Sequence, residues 1–212
     1  MKLIHYYLIL IGYISYYIPF IIVLLNLKKY NNHSIFERLL YFFVSYNFIS
    51  IIIEQFILDD SIDNFNPIYN IVTIIDFCTI IAIFSKILHG VGRKYFNYTI
   101  LVYLLVSISE LLFVNDLFSI NLFSNNLSKS LIIIIAGITI YFSEIKIEIT
   151  SSQKIFTYTL FMYSILTLPI ALFEQFIRLE TSDYLHIIWS LNILFALFYN
   201  LFLSLSLWKL KK

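Results

Sequence analysis

Residues 68–88 read IYNIVTIIDFCTIIAIFSKIL, and this stretch decides the fold class of the chain. It is almost entirely apolar over about 20 residues, the length that an α-helix needs to cross the hydrocarbon core of a bilayer. Its one acidic residue, Asp76, lies near the middle, where a short carboxyl side chain cannot reach headgroup water. Asp76 must therefore be neutral, hydrogen-bonded or ion-paired, and we expect it inside a helical bundle.

Six further stretches share this character, so we predict an all-α, polytopic membrane protein with seven transmembrane helices in one domain, residues 1–212. The predicted helices cover about 3–27, 39–58, 68–88, 98–114, 127–142, 155–176 and 184–208. The composition agrees, because 60% of the residues are hydrophobic and only 13% are charged, too few to cover a soluble protein. The long apolar runs also lack the alternation of barrel strands.

The distribution of lysine and arginine predicts the orientation of the helices. With the N-terminus outside, the outer segments hold only Lys2, Lys129 and Arg178. The cytoplasmic segments then hold Lys28, Lys29, Arg38, Lys86, Arg93, Lys94, Lys146, Lys154, Lys209, Lys211 and Lys212. We therefore predict an outer N-terminus and a cytoplasmic C-terminus. The net charge of +1 leaves no basic patch that could bind nucleic acid, so we predict no nucleic-acid partner. The predicted environment of the apolar helices is the lipid bilayer.

An internal repeat gives a separate reason for an odd number of helices. A shift of 120 positions places Glu54-Gln55-Phe56-Ile57 on Glu174-Gln175-Phe176-Ile177. A shorter outer loop then places Asn70, Thr73 and Asp76 on His186, Trp189 and Asn192. Helices 1–3 thus look like a copy of helices 5–7, with helix 4 as the inverting connector. We predict a parallel 3+1+3 arrangement, and such repeats commonly hold a site at their interface.

Polar residues within the predicted spans are the candidate binding residues, because charged groups at this depth are expensive and usually mark function. Three glutamates and one histidine lie near the outer helix ends, and Asp76 lies deeper with Asn192 as its expected partner. Helical spacing adds Asn47 to the face of Glu54, and Tyr103 and Ser107 to the face of Glu110. We predict an outward-opening cavity with these ligand-binding residues: Glu54, Asn70, Asp76, Glu110, Glu174, His186, Trp189 and Asn192. The alternative for each glutamate is an interfacial residue that reaches headgroup water.

Several chemistries are excluded by missing residues. No nucleophile elbow, phosphate-binding loop or dinucleotide fingerprint occurs. His33 and His89 are predicted in the cytoplasm and His5 and His186 outside, so the three-histidine zinc site of ceramidase-type hydrolases cannot assemble. The last helix has no lysine before Lys209, which excludes a retinal Schiff base. We therefore predict no cofactor, no metal and no catalytic residue.

Three segments carry a resemblance to a known group. Residues 66–77 read NPIYNIVTIIDF, residues 136–143 read AGITIYFS, and residues 189–195 read WSLNILF. Over most of its length the chain resembles a group of small, uncharacterised bacterial seven-helix membrane proteins. That group usually has glutamate in place of Asp76 and glycine in place of Glu144. The resemblance implies a multi-pass protein of the bacterial inner membrane and brings no activity.

Three functions remain open at this stage. The first is a non-enzymatic protein that senses or binds a small ligand or cation and acts through a membrane or cytoplasmic signalling partner. The alternative is a small cation-coupled secondary transporter that uses Asp76, Asn192 and the outer glutamates. The third is a membrane-embedded enzyme that modifies lipid.

Overall fold

Every described secondary-structure element of the chain is an α-helix, which confirms the all-α class. The computed structural model describes residues 2–26, 34–57, 66–88, 93–113, 122–145, 147–172 and 183–210. The helices are α1 (Lys2–Asn26), α2 (Ile35–Ile57), α3 (Asn66–Ile87), α4 (Arg93–Phe113), α5 (Leu122–Ile145), α6 (Ser151–Leu172) and α7 (Asp183–Lys209).

Within the described residues, six helices contain segments that are long and apolar enough to cross a membrane: Ile35–Ile53, Tyr69–Ile87, Lys94–Phe113, Phe123–Ile145, Ser151–Leu172 and Ser190–Lys209. In α1 the corresponding apolar segment, Leu10–Asn26, is shorter. These helices are those of a multi-pass membrane protein. The seventh crossing, by α1, and the orientation of the termini stay predictions.

The outward side chains of the helices are large and apolar. Leu25 is 64% exposed, Leu112 is 70% exposed and Phe113 is 84% exposed. Apolar patches of this extent are rare on soluble proteins, and lipid acyl chains are the surroundings that suit them.

Capping residues explain why two helices begin earlier than hydropathy predicts. The α2 helix begins at Ile35 instead of residue 39, because the amide of Ser34 donates to Glu37 Oε2 at 2.6 Å and the amide of Glu37 donates to Ser34 Oγ at 3.3 Å. Thr150 and Gln153 exchange the same two bonds, at 2.8 and 3.3 Å, before α6. Both are capping boxes, which satisfy backbone amides that have no partner within the helix.

Contacts divide the chain into two compact units. The terminal unit contains Met1–Lys28 and Ala136–Lys212, and the central unit contains Lys29–Ile135. The terminal unit thus comprises α1, the end of α5, α6 and α7, while the central unit comprises α2, α3, α4 and the start of α5. The 3+1+3 prediction places α1 in one repeat with α2 and α3, but in the structure α1 packs on α7.

Small and hydroxyl-bearing residues join the helices of the terminal unit. The α7 helix packs on both α1 and α6. Asn200 Nδ2 donates to Ser15 Oγ at 2.8 Å, and Ser206 Oγ donates to the carbonyl of Ser152 at 2.9 Å. At Gly12 an added Cβ would lie only 2.7 Å from Cγ2 of Ile193. Small residues allow this close approach of helices, which replaces the hydrophobic effect as the source of packing in lipid.

Aromatic residues and branched aliphatic residues fill the central unit, in which α3 packs on α2 and on α4. The rings of Phe77 and Tyr103 lie 4.0 Å apart between their centroids, and both side chains are fully buried. This packing places the middle of α3 at the centre of the unit, so Asp76 lies next to its core.

Candidate functional site

Asp76 lies at the midpoint of α3, about 15 Å from either end of the helix. The side chain is half-buried, and its Oδ1 accepts a hydrogen bond of 3.0 Å from Asn47 Nδ2 on α2. The same amide group of Asn47 also donates to the carbonyl of Phe43, one turn earlier on α2, at 3.0 Å. Because an amide NH₂ has two donors, these bonds hold the orientation of Asn47 toward Asp76.

The hydroxyl of Tyr46 adds a third polar group beside Asp76. It interacts electrostatically with the Asp76 carboxyl group. The oxygen is buried, and the hydroxyl of Ser50, one turn later on α2, also interacts with it. Within the described ranges, no lysine, arginine or histidine forms an ion pair with Asp76. The site therefore combines a carboxyl group, an oriented amide and a buried hydroxyl, a set suited to a cation or a hydroxylated ligand.

Glu110 has a structural role that the sequence analysis did not foresee. The side chain is 6% exposed, and its Oε1 accepts from the amide of Phe123 at 2.9 Å. Its Oε2 accepts from the amide of Ser124 at 2.7 Å and also from the hydroxyl of Ser124. These amides belong to the first turn of α5, where N–H groups lack partners in the helix and the dipole favours an acidic group. Glu110 therefore caps α5, which begins at Leu122 instead of residue 127.

Further polar residues of the central unit follow the predicted helix faces. Tyr103 and Ser107 are fully buried, which confirms that they share the inward face of α4 with Glu110. Their hydroxyl groups interact with each other, and the Tyr103 hydroxyl also interacts with Ser128 of α5. Asn125 Nδ2 at the start of α5 donates to the hydroxyl of Tyr69 on α3 at 3.2 Å. The interior of this unit thus contains several buried hydroxyl and amide groups that connect α3, α4 and α5.

The eight predicted site residues have different outcomes. Asn70 is 3% exposed in the central unit, in agreement with an inward position. Glu54 lies in α2, and His186 and Trp189 lie in α7, but their side chains are outside the described part of the chain, as is all of Glu174. Asn192 is half-buried in the terminal unit. Its predicted pairing with Asp76, and the cavity as a whole, stay predictions.

The sequence indicates one of the two residues around Asp76 and not the other. Asn47 has the helical spacing to Glu54 that marks a polar face, but its direction toward Asp76 follows from the packing of α2 on α3. Tyr46 gives no signal at all, because tyrosine is abundant throughout the chain and usually lies at interfaces.

Comparisons with protein-family models, with curated proteins and with solved structures found no match for this chain.

Proposed function

We propose that this chain is a multi-pass membrane protein that binds a cation or a small hydroxylated ligand at Asp76, without catalysis of its own, and acts through a partner protein. The observation that carries the proposal is the Asp76 carboxyl group at mid-span with Asn47 and Tyr46 beside it. A carboxyl group at this depth is expensive, and a purely structural role would be served by an apolar residue. The bacterial inner membrane is part of the same proposal and rests on the resemblance alone.

The depth of Asp76 also favours a second candidate, a cation-coupled secondary transporter. Binding sites of such carriers lie near the bilayer midplane, where each side of the membrane can be reached in turn. Asp76 is about as far from the first residue of α3 as from the last. Under this reading Asp76 would bind the coupling cation and Asn192 would remain a candidate for the solute.

Burial patterns support the proposed duplication and suggest a different register for α2 and α6. With a shift of 116 positions, all described buried residues of α2 fall on buried residues of α6: Phe36 on Ser152, Leu40 on Phe156, Tyr41 on Thr157, Phe43 on Thr159, Val44 on Leu160 and Phe48 on Ser164. The same shift places Phe84, Ile87 and the adjoining Leu88 on buried residues of α7, Asn200, Leu203 and Ser204. The buried residues Phe77, Ile81 and Ile83 of α3 fall on half-buried residues of α7, so the agreement in this pair is confined to the end of the helix.

The register of 116 keeps one predicted equivalence and removes another. Asp76 still falls on Asn192, whereas Glu54 falls on Ile170 and no longer on Glu174. The matched pair of outer glutamates is then a coincidence of an apolar, low-diversity sequence. The carboxyl group at Asp76 belongs to one copy only, which supports a single binding position and not two.

Asp76→Asn tests the proposal, with Thr99→Ala as its control, because the Thr99 hydroxyl on α4 donates to the carbonyl of Tyr95 at 2.9 Å and is not one of the groups around Asp76. Thermal unfolding of the purified chain is measured with Na⁺, Ca²⁺ and choline as probes, alongside flux in proteoliposomes. A cation that raises the unfolding temperature of wild type and Thr99→Ala, but not of Asp76→Asn, supports binding. Flux that Asp76→Asn abolishes would establish the transporter. If no probe distinguishes Asp76→Asn from wild type in either assay, the site is refuted.

A further inference from the structure

An apolar groove runs along the surface of the terminal unit between α6 and α7. Its volume is about 530 Å³, and its lining includes Tyr158, Met162, Leu166, Phe198 and Phe202. The lining is aromatic or aliphatic along most of its length, and the hydroxyl of Thr159 is already bonded to its own helix at Ile155. No polar ligand is suited to such a surface, whereas a hydrocarbon chain is.

The length of the groove matches one leaflet of a bilayer. On α6 it extends from Lys154 to Leu166, a rise of about 18 Å along the helix axis. Half of the hydrocarbon thickness of a bilayer is about 15 Å. A single acyl chain can therefore lie along the groove with its carboxyl end beside Lys154.

Lys154 connects this groove to a polar hollow of similar volume, about 530 Å³. The hollow is formed by the connection between α5 and α6, and it is lined by Ser143, Glu144 and Glu148 together with Lys154. Lys154 Nζ lies 4.0 Å from Glu144 Oε1, and their side chains are 44% and 62% exposed. An ion pair of this length and exposure is weak, so both partners can exchange it for a ligand.

We propose that this site binds one phospholipid of the phosphatidylethanolamine type: an acyl chain lies in the α6–α7 groove, the phosphate contacts Lys154, and the ammonium group contacts Glu144 and Glu148. The apolar groove continues into a hollow that contains both positive and negative side chains. This arrangement matches such a lipid, in which an apolar chain is followed by a phosphate and an ammonium group. Two carboxylates beside one ammonium disfavour a headgroup with only negative charge.

Native mass spectrometry of the full chain in mild detergent tests the headgroup contacts. Dioleoyl-phosphatidylethanolamine, -phosphatidylglycerol and -phosphatidylcholine are added at equal concentration. We expect the ethanolamine lipid to bind most tightly. Lys154→Gln should weaken all three lipids about fivefold, since one basic residue at a membrane surface contributes about this factor. The double substitution Glu144→Gln and Glu148→Gln should weaken the ethanolamine lipid most and the choline lipid less, because choline keeps its positive charge but has no N–H to donate.

A pair of matched tryptophan substitutions tests the groove. Leu166 lines it and is 40% exposed, while its neighbour Ile165 is 39% exposed and is not part of the lining. Leu166→Trp should abolish binding of the ethanolamine lipid, and Ile165→Trp should leave that binding unchanged. Three results would overturn the proposal: equal affinity for the three lipids in wild type, an equal effect of the two tryptophans, or a delipidated dimer that Leu166→Trp disrupts. The last would assign the groove to a second copy of the chain.

Discussion

Glu110→Gln should destabilise the protein through the first turn of α5. The carboxyl oxygens of Glu110 accept from the amides of Phe123 and Ser124 and from the Ser124 hydroxyl. Glutamine keeps one acceptor oxygen and turns an NH₂ donor toward backbone N–H groups, so at least one buried donor loses its partner. Hydrogen bonds to charged groups contribute about 1.5–3 kcal/mol each, and an acidic group at a helix N-terminus adds up to about 2 kcal/mol in buried geometry. We expect a loss of about 3 kcal/mol in the free energy of unfolding.

Equilibrium unfolding by SDS in lipid-free detergent micelles measures this loss, and hydrogen exchange locates it. The exchange of the Phe123 and Ser124 amides should accelerate more than that of amides in α6. Glu144→Gln is the matched control, because Glu144 is 62% exposed and has only the 4.0 Å contact to Lys154. Removing such a surface pair should change the free energy of unfolding by less than about 0.5 kcal/mol. Equal effects of Glu110→Gln and Glu144→Gln would refute the capping role.

Two further substitutions test helix packing and helix initiation. Gly12→Ala should lower the unfolding temperature, because the new Cβ would lie 2.7 Å from Ile193 Cγ2 and overpacking costs about 1–3 kcal/mol. Gly137→Ala is its control, since that Cβ meets Phe161 at an ordinary 3.6 Å and alanine favours the helix by about 1 kcal/mol, so the unfolding temperature should hold or rise. Ser34→Ala should cost about 1 kcal/mol in SDS unfolding by removing the cap of α2, and Ser34→Asp should restore it. These assignments would be contradicted if Gly12→Ala were as stable as Gly137→Ala, or if Ser34→Ala were as stable as wild type.

Hydropathy was sufficient to find the helices but not their first turns. Apolar runs locate the membrane-spanning parts because burial of the backbone in lipid requires an α-helix there. The first turns are polar and depend on individual hydrogen bonds. The capping boxes at Ser34 and Thr150 could have been read from local sequence, since their partners lie three residues away. The cap of α5 could not, because Glu110 comes from another helix.

Hydropathy and helical spacing are local properties, and they were sufficient to predict the all-α membrane class, the apolar parts of the helices, the mid-helix position of Asp76 and the inward face of α4. The tertiary structure decided which groups meet. It placed Asn47 and the Tyr46 hydroxyl beside Asp76, used Glu110 as a helix cap, and joined Lys154 to an apolar groove. Each of these depends on how one helix is rotated and shifted against its neighbour, and that follows from the packing of many side chains at once.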